Sequence, residues 1–172
     1  MDGLPLLRLT RPTLSGISRL LKGLVDRTGA AVLLLLLAPL LLGLALALRS
    51  GGDPTLVRQT HVGHGGTPFT LPRFCSAVTV PDQHATAMDA WIHRNGLDRL
   101  PQLFNVLGGS MSLVGPRPAR PDEVAAYPSG ILAANVVHPG LTGLWQNNGS
   151  TNLSPEESLR LNMRYVQHWS LA

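Results

Sequence analysis

The longest apolar run in the chain extends from Gly29 to Leu48 and contains no charged side chain. As an α-helix this run would span about 30 Å, the thickness of the hydrocarbon core of a bilayer. A long basic stretch precedes the run and Arg49 follows it directly, whereas a secretory signal has a shorter apolar core followed by a small-residue cleavage site. The pattern therefore predicts a membrane anchor over residues 29–48.

Pro39 lies at the middle of this anchor, where a proline removes a backbone donor and clashes with the preceding helical turn. The helix is therefore predicted to kink or break there. Basic residues stand on both sides of the anchor, with more of them on the N-terminal side. Because basic residues mark the cytoplasmic side of a membrane, this distribution favours a re-entrant helix that enters and leaves through the same face. A plain transmembrane helix that tolerates its proline is the alternative.

The polar remainder predicts an α+β fold that is mostly helical: a small membrane-associated domain with one proline-broken re-entrant helix and a short β-hairpin. Residues 1–28 form a basic, amphipathic lead-in, typical of a helix on the membrane surface. Residues 49–172 form the domain that would carry any activity. Its predicted elements are a loop with short strands over 50–68, a strand or hairpin over 69–80, short helices over 87–95 and 101–107, and a capped C-terminal helix from Ser154.

The formal net charge of +4 indicates an anionic partner, either nucleic acid or an anionic membrane surface. Because an apolar anchor is present, the membrane accounts for the charge, and no nucleic-acid partner is predicted. The single cysteine, Cys75, excludes an internal disulfide. His61, His64 and Cys75 are loosely spaced and have no evident fourth ligand, so a zinc site is not predicted.

Candidate chemistry is densest between Leu97 and Pro118. Asp98 lies just before a helix opened by Pro101, and a helix N-terminus keeps a carboxylate ionised and attracts phosphate. An ionised carboxylate can attack phosphorus and form a covalent intermediate. From spacing alone, a simple helix cap is the favoured interpretation of Asp98.

Arg117 stands between two prolines that fix the local backbone, so its guanidinium is presented with little entropy left to lose. A guanidinium held in this way suits a pair of phosphate oxygens. Arg73, Arg94 and Arg99 are candidates to extend a positive site, although most single arginines are only solvated. In the C-terminal helix, Asn162 falls inside the apolar face, which indicates either a hydrogen-bonded core residue or one that faces a site.

Five features follow one another along the chain: LKGLVDR before the anchor, the central Pro39, QTHVG at 59–63, LDRLPQLFNVLGGSMSLVGPRP at 97–118 and PGLTGLWQ at 139–146. In these features the chain resembles the bacterial sugar transferases, the monotopic polyprenyl-phosphate phosphoglycosyl transferases. The resemblance runs from about Lys22 to Leu171. Its most specific part is Leu-Pro-Gln-Leu followed by Met-Ser-Leu-Val-Gly-Pro-Arg-Pro.

The resemblance implies an enzyme that transfers a phospho-sugar from a UDP-sugar to polyprenyl (undecaprenyl) phosphate and so starts exopolysaccharide or other surface-glycan synthesis. It also implies Mg²⁺ as a cofactor, a covalent aspartyl intermediate, and a re-entrant helix in the bacterial inner (cytoplasmic) membrane, with the soluble part facing the cytoplasm. The implied partners are the UDP-sugar, polyprenyl phosphate and membrane lipid, and a homodimer is left open.

By the same resemblance, Asp98 matches the nucleophile, and Arg117, joined by Arg73, binds substrate phosphate. The implied site-lining residues are Arg99, Gln102, Ser110, Pro118 and Asn162. The chain departs from the family pattern at three of these, because Arg99 replaces a Glu, while Ser110 and Asn162 each replace an Asp. Magnesium prefers charged oxygen ligands. The alternative is therefore a catalytically degenerate member that acts as a membrane-anchored binding or scaffold protein.

Overall fold

The computed structural model describes residues 16–50, 55–75, 87–125 and 137–143 of the 172-residue chain. Its helices and strands, in chain order, are α1 (Gly16–Ser50), β1 (Leu56–Val62), β2 (Pro68–Phe74), α2 (Ala87–Arg94), α3 (Leu103–Gly108), β3 (Ser112–Val114), α4 (Pro121–Ala125) and β4 (Gly140–Thr142). Short 3₁₀ turns cover His64–Gly66 and Leu97–Gln102. The predicted mostly helical α+β class with a short β-hairpin is confirmed.

The anchor belongs to one uninterrupted helix, α1, which has 35 residues and is about 52 Å long. The helix continues through Pro39, so the predicted break at this proline is wrong, and the predicted boundary after residue 28 lies inside the helix. An internal proline costs about 3 kcal/mol. That cost is offset because α1 is held against the domain on both sides of Pro39, at Ala30 and at Leu44. The re-entrant path stays a prediction.

Most of the apolar surface of α1 is exposed. Leu20–Ser50 is long and apolar enough to cross a bilayer, yet only 11% of its most apolar stretch is buried. A helix this apolar in a soluble protein would lie in the core. Its exposed large side chains are Ile17, Leu20, Leu21, Leu24, Val25, Val32, Leu33, Leu35, Leu36, Leu40, Leu42 and Leu46. These features indicate a membrane protein.

Two apolar clusters join α1 to the rest of the described domain. The first cluster contains Ala30, Leu71, Leu103, Val106 and Met111. The second contains Leu44, Leu48, Phe74 and Ile92. Between Ala30 and Leu48, α1 therefore supplies buried side chains to the domain over about 27 Å of its length.

The hairpin is formed by β1 and β2, which pair antiparallel with Val57 opposite Arg73. Two glycines, Gly65 and Gly66, lie in its turn in the left-handed region, with φ of 66° and 79°. The strand or hairpin predicted over 69–80 corresponds to β2. Its partner β1 falls in the stretch where the sequence pattern predicts a loop with short strands.

The helix predicted over 87–95 is α2 and is confirmed. The helix predicted over 101–107 begins earlier, as a 3₁₀ turn from Leu97, and passes directly into α3. Gly109, with φ of 81°, ends α3. The parallel pairing of β3 with β4 was not predicted, because each strand has only three residues. The helix predicted from Ser154 lies outside the described residues.

Candidate active site

Asp98 lies in the first turn of the 3₁₀ segment Leu97–Gln102, and only 1% of its surface is exposed. Gly96, in the left-handed region with φ of 66°, turns the chain between α2 and this segment. Leu97 and Leu100 pack against the second apolar cluster. Because these contacts fix the segment, the carboxylate of Asp98 lies inside the domain rather than at a solvated helix end.

Two basic side chains face the buried carboxylate. Arg73 Nη2 lies 3.5 Å from Asp98 Oδ2, and His93 Nδ1 lies 3.8 Å from the same oxygen. Both distances are longer than those of charge-assisted hydrogen bonds. Within the described part of the chain, neither oxygen of Asp98 accepts a hydrogen bond, and Arg73 Nε and His93 Nδ1 also form none. Buried polar atoms are normally hydrogen-bonded, so these atoms are available to groups of a ligand.

Four arginines are linked electrostatically here: Arg73, which lies beside this carboxylate, and three others whose charges act on Arg73. Burial lowers the pKa of the Arg73 guanidinium and Asp98 raises it, while the charges of Arg99, Arg120 and Arg117 lower it further. The four come from β2, from the 3₁₀ segment and from the loop after β3. Folding therefore assembles a site that is predominantly positive from residues that are far apart in sequence. We call this the basic site, defined by Asp98 and these four arginines.

His61, on β1, is exposed to the same charges. Burial lowers the pKa of its imidazole, the backbone carbonyl of Gln59 raises it, and the charges of Arg73, Arg120 and Arg117 lower it. The imidazole is therefore favoured in its neutral form. Charges on the hairpin and on the loop after β3 therefore both act on His61.

The proline-flanked loop that carries Arg117 is attached to the hairpin. The backbone N–H of Val62 donates to the carbonyl oxygen of Ala119 at 2.9 Å. The half-buried guanidinium of Arg117 donates to both carboxylate oxygens of Glu123 at 3.2–3.3 Å. A phosphate group that binds Arg117 would therefore have to compete with a carboxylate already in place.

The other predicted site residues are placed differently from one another. Gln102 and Pro118 are buried, and Arg99 is half-buried. Ser110 lies in the turn after α3, where its hydroxyl donates to the carbonyl oxygen of Asn105 at 3.2 Å. Asn162 lies outside the described residues. The roles assigned to these residues stay predictions.

His93 was not predicted as part of the site. It occupies the last turn of α2, and the turn at Gly96 brings it back towards Asp98, five residues later in sequence. The adjacent Arg94, which the sequence suggested for a positive site, is exposed. Helical spacing separates two neighbouring side chains by about 100°, so only one of the pair can face the carboxylate.

A second polar cluster, also not predicted, lies where α1 meets β3. The buried carboxylate of Asp26 accepts hydrogen bonds from Lys22 Nζ at 2.9 and 3.0 Å, from Ser112 Oγ at 2.7 Å and from the backbone N–H of Leu113 at 3.3 Å. Lys22 Nζ also donates to Ser112 Oγ at 2.7 Å. We call this the α1–β3 cluster. The sequence signal of this cluster was an acid and a base four residues apart, just before a long apolar run.

The described residues do not fit the Mg²⁺ that the resemblance implies. They contain no group of three or more His, Cys, Asp or Glu side chains that could hold a metal ion. The central carboxylate, Asp98, is faced by Arg73 and His93, and Arg99 follows it directly. A divalent cation needs several oxygen ligands, and the charges of Arg73 and Arg99 would repel it.

An open apolar groove of about 980 Å³ lies between α1, the hairpin and α3. Its lining includes Leu34, Leu41 and Phe104. Phe104 and the neighbouring Leu107 are exposed, so the apolar face of α1 continues onto α3.

Comparison with known proteins gives a family and several relatives. The profile of the family described as "Bacterial sugar transferase" matches residues 17–172. The UDP-glucose:undecaprenyl-phosphate glucose-1-phosphate transferase of Escherichia coli (strain K12) is 35% identical over 99% of this chain and 41% of its own length. The undecaprenyl-phosphate galactose phosphotransferase of Salmonella typhimurium is 31% identical over 96% of this chain and 40% of its own length.

A shorter relative matches over most of its length. The exopolysaccharide production protein ExoY of Rhizobium meliloti is 32% identical over 93% of this chain and 84% of its own length. In contrast, the chain spans about two fifths of the length of the Escherichia coli and Salmonella relatives.

Proposed function

Because this chain belongs to the bacterial sugar transferase family, we propose that it transfers a phospho-sugar from a UDP-sugar to undecaprenyl phosphate, with Asp98 as the nucleophile. The names of the Escherichia coli and Salmonella relatives support both substrates, and that of the Rhizobium relative supports a role in exopolysaccharide synthesis. These names do not favour the alternative of a degenerate scaffold protein. The observation that carries the role of Asp98 is its enclosed carboxylate, which accepts no hydrogen bond from the described residues while Arg73 lies 3.5 Å away.

The proposed reaction has two displacements at one phosphorus atom. In the first, an oxygen of Asp98 attacks the phosphorus that carries the sugar, the bond to the bridging oxygen of UDP breaks, and UMP leaves with that oxygen. In the second, an oxygen of undecaprenyl phosphate attacks the same phosphorus and the bond to Asp98 breaks. The products are the lipid-linked diphospho-sugar and the regenerated carboxylate.

Arg73 supports the first displacement through its loose contact with Asp98. At 3.5 Å the guanidinium is close enough to neutralise the carboxylate but does not hold it in a short hydrogen bond. A phosphate group can take the guanidinium in a bidentate pair, which releases Asp98 for attack. The guanidinium would then also stabilise the negative charge that develops on the equatorial oxygens of phosphorus.

The contacts of α1 support a helix that stays at one face of the bilayer. Between Ala30 and Leu48 the helix is packed against the hairpin, α2 and α3 over about 27 Å. An upright helix would draw these elements, together with Arg73 and Asp98, towards the depth of the hydrocarbon core, where charged groups are strongly disfavoured. We therefore keep the re-entrant arrangement, with the basic site at the membrane surface, as part of the proposal.

The proposal is tested with membranes that contain the full chain, labelled UDP-sugars and undecaprenyl phosphate. We expect UMP release that depends on the lipid acceptor and that Asp98→Asn abolishes, because the amide is a far poorer nucleophile. Asp122→Asn is the matched control, since Asp122 is exposed on α4 and is not part of the basic site. Absence of UMP release with every donor tried, from folded protein, would refute the proposed activity.

A further inference from the structure

The charge around Asp98 is the opposite of what a metal site requires. The basic site contains four arginines, and the carboxylates among its described contacts are Asp98 and Glu123. Glu123 is already held by Arg117 at 3.2 Å. With both carboxylates ionised, the site carries a net positive charge, so an anion gains free energy there and a metal cation loses it.

The buried donors point to the same kind of ligand. Arg73 Nε and His93 Nδ1 are buried and form no hydrogen bond with any described residue. A guanidinium nitrogen is only a donor, so its missing partner is an acceptor. A buried donor without an acceptor destabilises the fold, and a phosphate oxygen would supply the missing acceptor.

The basic site combines one enclosed carboxylate, four arginines and a buried donor that has no acceptor among the described residues. From this combination we propose that the basic site binds the diphosphate of a nucleotide through guanidinium groups, without a divalent cation. The inference rests on the proposed function for the identity of the nucleotide. The arginines supply the positive charge that a divalent cation supplies in other diphosphate sites. Arg73 has the central position, because it lies beside Asp98 and three further arginine charges act on it.

The first test is the affinity of the detergent-solubilised full chain for UDP, measured by calorimetry after EDTA treatment. We expect UDP to bind in excess EDTA with a Kd within about twofold of the Kd in millimolar MgCl₂, a difference below about 0.4 kcal/mol. Binding that appears only with MgCl₂, or no binding in either buffer, would overturn the inference.

Charge variants make the test specific to the site. Arg73→Gln is expected to weaken UDP binding in EDTA by at least about tenfold, which corresponds to about 1.4 kcal/mol. Arg58→Gln is the matched control, because Arg58 lies on the same hairpin and is exposed. Arg58 is one position along from Val57, which pairs with Arg73, so its side chain projects from the opposite face of the hairpin. Equal losses in both variants would overturn the inference.

Arg99→Glu reverses the local charge and gives an independent outcome. A second carboxylate next to Asp98 is expected to weaken UDP binding in EDTA by about tenfold or more and to make it depend on MgCl₂. Far-UV circular dichroism checks that the variant is folded. If Arg99→Glu bound UDP equally well in EDTA and in MgCl₂, the assigned role of the arginine charges would be wrong.

The assay of UMP release separates this inference from the proposed function. UDP binding in EDTA without UMP release from any donor would support the inference and refute the transferase activity. UMP release from a protein that binds UDP only with MgCl₂ would support the transferase activity and refute the inference.

Discussion

The α1–β3 cluster gives a quantitative prediction for Asp26→Ala. The substitution removes the acceptor of hydrogen bonds from Lys22, from Ser112 Oγ and from the backbone N–H of Leu113. Breaking a buried ion pair by removing one partner costs about 3–5 kcal/mol. Two features lower this figure: the side chain of Lys22 is 21% exposed and can reach water, and the hydroxyl of Ser112 can donate to Val114 O at 2.9 Å.

We therefore expect Asp26→Ala to reduce the free energy of unfolding by about 2–3 kcal/mol. Ser112→Ala alone should reduce it by about 1 kcal/mol, because Lys22 and Asp26 remain paired. The double variant should reveal a coupling energy of about 1 kcal/mol, since the two side chains share one hydrogen bond and one lysine. SDS-induced unfolding in a mild detergent, followed by far-UV circular dichroism, measures each value.

Thr28→Ala is the control for the position on α1. The Thr28 hydroxyl is exposed and donates only within its own helix, to Leu24 O at 2.8 Å and Val25 O at 3.2 Å. Its removal should change the free energy of unfolding by less than about 0.5 kcal/mol. If Asp26→Ala were as mild as this control and the coupling were zero, the cluster would not link α1 to β3.

Three further predictions concern packing, pH and topology. Gly115→Ala should lower the free energy of unfolding by about 1–3 kcal/mol in thermal unfolding, because the added Cβ would lie 2.6 Å from backbone atoms. Gly43→Ala is the control and should not lower the free energy of unfolding, because there is open space around Gly43. Because burial lowers the pKa of His61, the folded protein should lose stability as the pH falls through 6.5, the pKa of histidine in the unfolded chain. The variant His61→Gln should lose less stability over the same pH range, and equal losses in the two proteins would contradict this prediction. Tags at Met1 and Ala172 should be labelled from the same side of the membrane, and labelling from opposite sides would exclude the re-entrant path.

The sequence was sufficient where local pattern decides structure. The apolar run of α1, the helix α2 and the segment that contains Asp98 could all be placed from composition, caps and short motifs. The continuity of α1 through Pro39 could not, because it depends on contacts that Ala30 and Leu44 make with residues far along the chain. Local preference predicted a kink or a break, and the break does not occur because tertiary packing holds the helix on both sides of Pro39.

The surroundings of Asp98 show the same limit. A carboxylate in the first helical turn is usually a solvated cap, and nothing local to Asp98 distinguishes it from one. Its burial and its contact with Arg73 arise because the hairpin packs on the 3₁₀ segment, and the two residues are 25 positions apart. The hydrogen bond between Ser112 and Asp26 could not be predicted from local pattern either, because the two residues are 86 positions apart.

The shared packing of α1 has a practical consequence for anyone who prepares this protein. Side chains from Ala30 to Leu48 fill both apolar clusters, so deleting the helix to obtain a detergent-free fragment would leave Leu103 and Ile92 facing water. Such a fragment should aggregate rather than yield a smaller, soluble protein. The most apolar helix of the protein is therefore also the support on which the rest of the described domain is assembled, and truncation removes both at once.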